Sequence, residues 1–205
     1  RYIEALDFRG IDALRATEYF ETASKQIGLP AVDLDELAVE INLGRFGDDF
    51  SFAPTLNSVF IPMIGQSNVV DSIDELALKA QNYAQVVIDP EKSYASFISQ
   101  FLNSELGKKI REWGKSGTTI PKLNKQTLKR IQILIPDLAT QREILAIEAR
   151  ISSEENTILG LQNDLLELRR ELWRNPRSVS TINKSLDKFT ATFSGDLKAQ
   201  ASLGL

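Results

Sequence analysis

The chain has 205 residues, 42% hydrophobic and 25% charged, with 24 Lys and Arg against 28 Asp and Glu and a net charge of −4. That is the composition of one or two globular domains with a sizeable core. Neither Cys nor His occurs, which excludes disulfide frameworks, thiolate nucleophiles, Ser-His-Asp triads, imidazole acid–base work and zinc sites of the His/Cys kind.

The lack of cysteine fits a cytoplasmic protein. No apolar run reaches the roughly 18 residues of a membrane span. The opening Arg1-Tyr2-Ile3-Glu4-Ala5 has no apolar stretch, so it reads as part of something longer and not as a signal peptide. The charge is segregated along the chain. Residues 1–105 carry 7 basic and 17 acidic side chains, residues 106–130 carry 8 and 1, and residues 131–205 carry 9 and 10. The middle stretch is a basic island of net +7, either a solvated helix face with its loop or a surface for an anionic partner.

In chain order, Ile11, Leu14, Tyr19, Ala23 and Ile27 predict a helix stopped by Gly28. A short helix is expected from Asp33, with Leu34, Leu37, Ala38 and Ile41 on one face, giving way to the polar loop Gly44–Asp49. The β-rich runs Val59–Gly65, Val69-Val70 and Ala84–Ile88 predict a small sheet with irregular connections, and Pro62 marks an edge strand or bulge.

Ser93 is the expected cap of a helix carrying Phe97, Ile98, Phe101 and Leu102, and a further helix spans Glu105 to Trp113 with a start loosened by Gly107. The loop Gly114–Asn124 follows, then a helical turn and the strand Ile131–Ile135. From Ala139 to Trp173 the apolar residues fall on a heptad. Ile144, Ile151, Ile158, Leu165 and Leu172 occupy one seam position, Ile147, Leu161 and Leu168 the other, and Glu154 interrupts. About 35 helical residues span about 50 Å, so this helix projects and pairs, or serves as a core helix. After Asn175-Pro176, Val179, Ile182, Leu186, Phe189 and Phe193 step as a shorter helix able to fold back antiparallel.

Phe101-Leu102-Asn103-Ser104, Ser116-Gly117-Thr118-Thr119-Ile120-Pro121-Lys122-Leu123-Asn124, Leu128, Ile133-Leu134-Ile135-Pro136 and Gln141-Arg142-Glu143-Ile144 stand in an order that resembles the target-recognition domain of type I restriction-modification specificity subunits. A similar domain is fused to some N6-adenine DNA methylases. The likeness spans about residues 97 to 147, and Asp137 replaces the second proline of the usual Pro-Pro pair.

The resemblance implies an α+β fold, with a small mixed, irregular sheet and helices followed by a long coiled-coil-like helix. It divides the chain into a lead-in (1–31), the recognition domain (32–138), a spacer and docking helix (139–174), and a second helix with a polar tail (175–205). A full specificity subunit carries two such domains, so this chain implies a half-subunit or, more in keeping with its lead-in, a piece of a methylase fusion. It further implies double-stranded DNA as partner, a methyltransferase subunit or fused domain that binds S-adenosylmethionine, and dimerisation or a second recognition domain through the long helix.

The chain shows no chemistry of its own. An N6-adenine methyltransferase needs a Gly-rich cofactor loop and an Asn/Asp-Pro-Pro-aromatic motif, and Asn175-Pro176-Arg177 and Asp89-Pro90-Glu91 fit neither. Gly44-x-x-Gly47 and Gly114-x-x-Gly117 are too short for phosphate loops. The one nuclease-like pair, Asp196-Leu197-Lys198, lies in a polar tail 59 residues after Pro136-Asp137, too poor a setting for a magnesium site.

DNA binding has a basis in the island. Lys108, Lys109, Arg111, Lys115, Ser116, Thr118, Thr119, Lys122, Lys125 and Lys129 are the expected phosphate contacts, joined by Arg130. Base readout is expected from Arg45, Asn57, Gln66, Asn68, Gln81 and Asn82, although Gln81 and Asn82 equally suit a turn that caps the next strand. Trp113 reads as core. The competing reading is a coiled-coil interaction module without DNA specificity, its basic island merely solvated.

Overall fold

The computed structural model describes residues 22, 24–26, 28–45, 50–117, 119–175, 177, 179–187 and 190. The chain divides into two compact units, Arg1–Ala146 and Ile147–Leu205, and the division falls inside the long helix. Most of the helix expected over 11–27 lies outside the described residues, as do Thr118 and the tail from 191. Gly28 does stop a helical turn. Its φ is +73° and its N–H bonds the Ser24 carbonyl at 2.9 Å.

In the first unit, strand β1 (Ala31–Asp33) leads through a single helical turn, α1 (Leu34–Leu37), into β2 (Ala38–Leu43). The helix expected to continue to Ile41 therefore ends at Leu37, and residues from Ala38 extend. The apolar spacing satisfied both periods. Antiparallel pairing with β4 (Tyr83–Ile88), including Ile41 with Val86 and Asn42 with Gln85, decides for the strand.

The edge strand β3 (Ser58–Pro62) pairs with the other side of β4, so the sheet order is β2-β4-β3. Pro62 closes an edge strand, where its missing N–H costs no ladder bond. A second, two-stranded sheet joins β1 to β5 (Gln132–Leu134), antiparallel from Ala31↔Leu134 to Asp33↔Gln132.

Helices α2 (Ala95–Asn103) and α3 (Glu105–Trp113) form a pair. Ser104 caps α3 by accepting the Gly107 N–H. Gly107 does not loosen that start. It is buried, and a Cβ there would stand 2.2 Å from the Phe101 carbonyl oxygen and 2.5 Å from the Leu102 Cα. Glycine thus sets how closely α3 approaches α2. A short helix, α4 (Lys125–Lys129), is capped by Asn124 and followed by β5.

The core gathers Leu34, Ile61, Val86, Ile98, Leu102, Leu128 and Ile133, and Trp113 packs partly buried against it. Burying each Leu or Ile stabilises by about 1.5–3 kcal/mol. A smaller aromatic cluster, Phe52, Phe60 and Tyr83, lies apart, its two Phe rings 5.5 Å between centroids.

The long helix α5 (Leu138–Arg174) starts on Asp137, whose carboxylate accepts the Thr140 N–H at 2.9 Å. Its first turns belong to the first unit through Gln141, which is fully buried. The Gln141 carbonyl oxygen accepts from Ser93 Oγ (3.0 Å) and the Tyr94 N–H (3.2 Å), and its amide donates to the Lys92 (3.2 Å) and Pro136 (2.9 Å) carbonyls. Ser93 is accordingly not the cap of α2. Tyr94 holds that position, and the Ser93 hydroxyl is turned to Gln141.

In the second unit, α5 carries its seam in the open. Ile147, Ile151 and Ile158 are 47–55% exposed, while Leu161, Leu168 and Leu172 are partly covered. Residues 179–187 are helical, with Ile182 buried and Val179 and Leu186 exposed. The architecture is α+β: small antiparallel sheets with helices and one long helix.

Candidate nucleic-acid interface

The basic island folds into α3, the following loop and α4, and these place its cations unevenly. Arg111 is 4% exposed. Its guanidinium donates to the Leu102 carbonyl (3.2 Å) and the Ser67 carbonyl (3.0 Å). Burial pulls its pKa below the ordinary value and neighbouring Glu112 opposes that shift, yet a guanidinium stays charged at any working pH.

The Lys115 ammonium is likewise turned inward, onto Glu112 and the Gly65 carbonyl. Both cations, expected at the surface as phosphate contacts, are instead engaged by groups of the fold. Net charge counts cations and cannot tell which are taken up by backbone carbonyls.

Lys109 pairs with Glu105 at 2.8 Å and Lys129 with Asp35 at 3.1 Å, and Lys125 donates to the Ile41 carbonyl at 3.0 Å. The Lys109 bond also holds the Glu105 carboxyl below its ordinary pKa. Exposed pairs of this kind are weak and exchange readily for a phosphate. Lys108, Lys122 and Arg130 are exposed, and among the described residues their side chains have no partner. Ser116 and Thr119 are exposed in the connecting loop, where Ser116 and Lys122 pair through their backbones.

The candidate readers separate as sharply. Asn57 is held in the left-handed region at φ 52°. Its amide donates to the Ile88 and Ser93 carbonyls, both at 2.9 Å, and its oxygen accepts the Ala95 N–H at 2.7 Å. Both its hydrogens are spent inside the fold, so Asn57 is a structural bracket and not a base reader.

Gln81 and Asn82 lie in a 3₁₀ turn, Ala80–Asn82, that runs into β4, with Gly44 packed on the Gln81 backbone. This is the strand-capping geometry. Arg45 is exposed beside a pocket of about 460 Å³ shared with Asn42, Gln85 and Lys125. Of these, Asn42 is absent from the sequence-based candidates; its signal is the alternation Glu40-Ile41-Asn42-Leu43, masked by the helical reading, whereas Gln85 is buried and spends its amide on the Ala53 carbonyl at 2.8 Å.

Gln66 and Asn68 remain, both exposed on the loop between β3 and the Val70 bridge. Around this loop the island converges. Gln66, Lys108, Lys109, Arg111 and Trp113 line a pocket of about 350 Å³ together with Glu105 and Glu112, and the Lys122 backbone bridges Ile64. Amide readers flanked by two unpaired lysines form an arrangement able to grip phosphates and touch base edges together. Among the described residues no group of three or more acidic side chains could hold a metal ion, and no helix is long and apolar enough to cross a membrane.

The fold combines small antiparallel sheets with helices and one long helix, and the sequence comparison gives its family. Residues 53–167 match the family of the type I restriction modification DNA specificity domain. The chain belongs to that family. Among solved structures, the S subunit of a type I restriction-modification system from M. genitalium is similar at 16% identity and a TM-score of 0.47, over 80% of this chain and 48% of that one. This chain therefore spans about half of that subunit. No curated protein matches the sequence significantly.

Proposed function

We propose that this chain is the DNA target-recognition module of a restriction-modification system, itself non-catalytic, working in the cytoplasm on double-stranded DNA. The observation that carries the reading is the loop with exposed Gln66 and Asn68, flanked by the unpaired Lys108 and Lys122, in a chain of the specificity-domain family. The methyltransferase it serves, as a separate modification subunit or as a fused N6-adenine methylase, would bind S-adenosylmethionine.

The exposed seam of α5 supports a second role in the same chain. Ile147 and Ile158 are 55% and 51% exposed, and an apolar heptad stripe gains by burial against another helix. A methyltransferase helix, a second recognition domain or a second copy of this chain would serve. Taken alone, this feature suits a coiled-coil module without DNA specificity, and salt separates the two readings.

Each phosphate contact contributes about 0.9 to the log–log salt slope. Lys108→Ala with Lys122→Ala should lower the slope by about 1.8, and Lys115→Ala should leave it unchanged. Identical slopes for the wild type and the double variant, with no preference among duplexes, would favour the interaction module.

A further inference from the structure

The segment 65–70 is held from below at every second residue. Gly65 turns the chain at φ +64° and its carbonyl is held by Lys115. The Ser67 carbonyl accepts from Arg111 at 3.0 Å. Val69 is clamped through both backbone groups: Asn103 Oδ1 accepts its N–H at 2.8 Å, Asn103 Nδ2 donates to its carbonyl at 2.7 Å, and Ser99 Oγ donates to that carbonyl at 3.0 Å. Gln66 and Asn68, the residues in between, are exposed, and among the described residues neither amide side chain has a partner.

Asn103 takes the place of a neighbouring strand. A side-chain amide that meets one residue's N–H and C=O together copies a ladder pair, so the loop is ordered without being in a sheet. The ordering matters energetically. Fixing a free residue costs conformational entropy, so readers on an unheld loop would lose much of their discrimination to ordering at the moment of contact. Here folding has already fixed the loop. An amide offering one donor and one acceptor matches the N6–H and N7 of adenine in the major groove.

Resting on the DNA-recognition reading above, we propose that Gln66 and Asn68 read adenine in A·T pairs of the target, and that Asn103 is the positioning residue that presents them. Arg111 and Lys115, cations of the island, serve the same frame from within.

The test is selection of duplexes from a randomised pool by the full chain, with sequencing of the bound fraction. Gln66→Ala and Asn68→Ala should each erase a preference for A·T at one base pair, by about tenfold, while other positions and the unfolding midpoint stay as in the wild type. Asn103→Ala should erase both preferences together, spare the rest, and raise hydrogen exchange at the Val69 amide.

A wild-type preference that survives both exposed-residue variants overturns the loop assignment and leaves the proposed function standing. Loss of a G·C preference in those variants overturns the adenine assignment. Uniform weakening of Asn103→Ala on all duplexes reduces Asn103 to a structural residue. A wild-type chain that enriches no sequence overturns the proposed function, and this inference with it.

Discussion

Within the first unit, buried and part-buried polar side chains are each matched to partners inside the fold: Gln141 to the Ser93 hydroxyl and the Tyr94, Lys92 and Pro136 backbones, Asn57 to the Ile88, Ser93 and Ala95 backbones, Arg111 to the Leu102 and Ser67 carbonyls. Among the described residues no buried side-chain nitrogen or oxygen lacks a partner. Along α5 beyond Ala146 the mismatch is of the other kind, with isoleucines and leucines of the seam left in water. Buried polar groups must be satisfied for a fold to stand by itself, and exposed apolar stripes are satisfied only by a partner. Among the described residues the first unit satisfies its own buried polar groups, whereas the helix beyond it leaves apolar residues exposed.

That contrast can be broken at three points. The largest effect is expected at Gln141. Gln141→Ala strands four backbone and hydroxyl groups in a dry site and should cost about 3 kcal/mol, read by urea denaturation of the full chain. A loss below about 1 kcal/mol would mean that water replaces the amide and that the network is not what closes this unit.

Next in size is the seam. Ile158→Asp with Leu161→Asp should abolish any rise of mass with concentration in sedimentation, while unfolding of the first unit moves by no more than about 0.5 kcal/mol. A large fall in that stability would show that the seam serves the fold and not a partner.

The smallest effect concerns Asp137. Its bonds from the Thr140 N–H and hydroxyl hold its pKa below the ordinary value. A depressed folded pKa stabilises above the ordinary aspartate range and is lost as pH falls through the lower folded value, so the start of α5 should fray only well on the acid side of about pH 4. Amide exchange at Thr140 followed by NMR reads this, and Asp137→Asn should remove the pH dependence.

Much of the architecture was legible because it is local. The helix from Glu105 to Trp113, the helical turn after Asn124, and the heptad from Ile144 to Leu172 are signals carried within one turn or one face. What was not legible depends on partners far along the chain. The apolar residues from Leu34 to Ile41 suit either period, and only β4, more than 40 residues on, selects the strand. Ser93 has a capper's chemistry but meets Gln141, 48 residues away. The site divided in the same way. The cations of the island could be counted in sequence, but which of them turn inward is decided by carbonyls at Gly65 and Ser67, 50 and 44 residues upstream.

The two-stranded sheet has a further consequence. Because β1 and β5 run antiparallel with Ala31 opposite Leu134, the chain enters and leaves the body of this domain side by side. The separation of the two flanking segments is thereby set by one strand-to-strand distance, about 5 Å, whatever length of chain is folded between them.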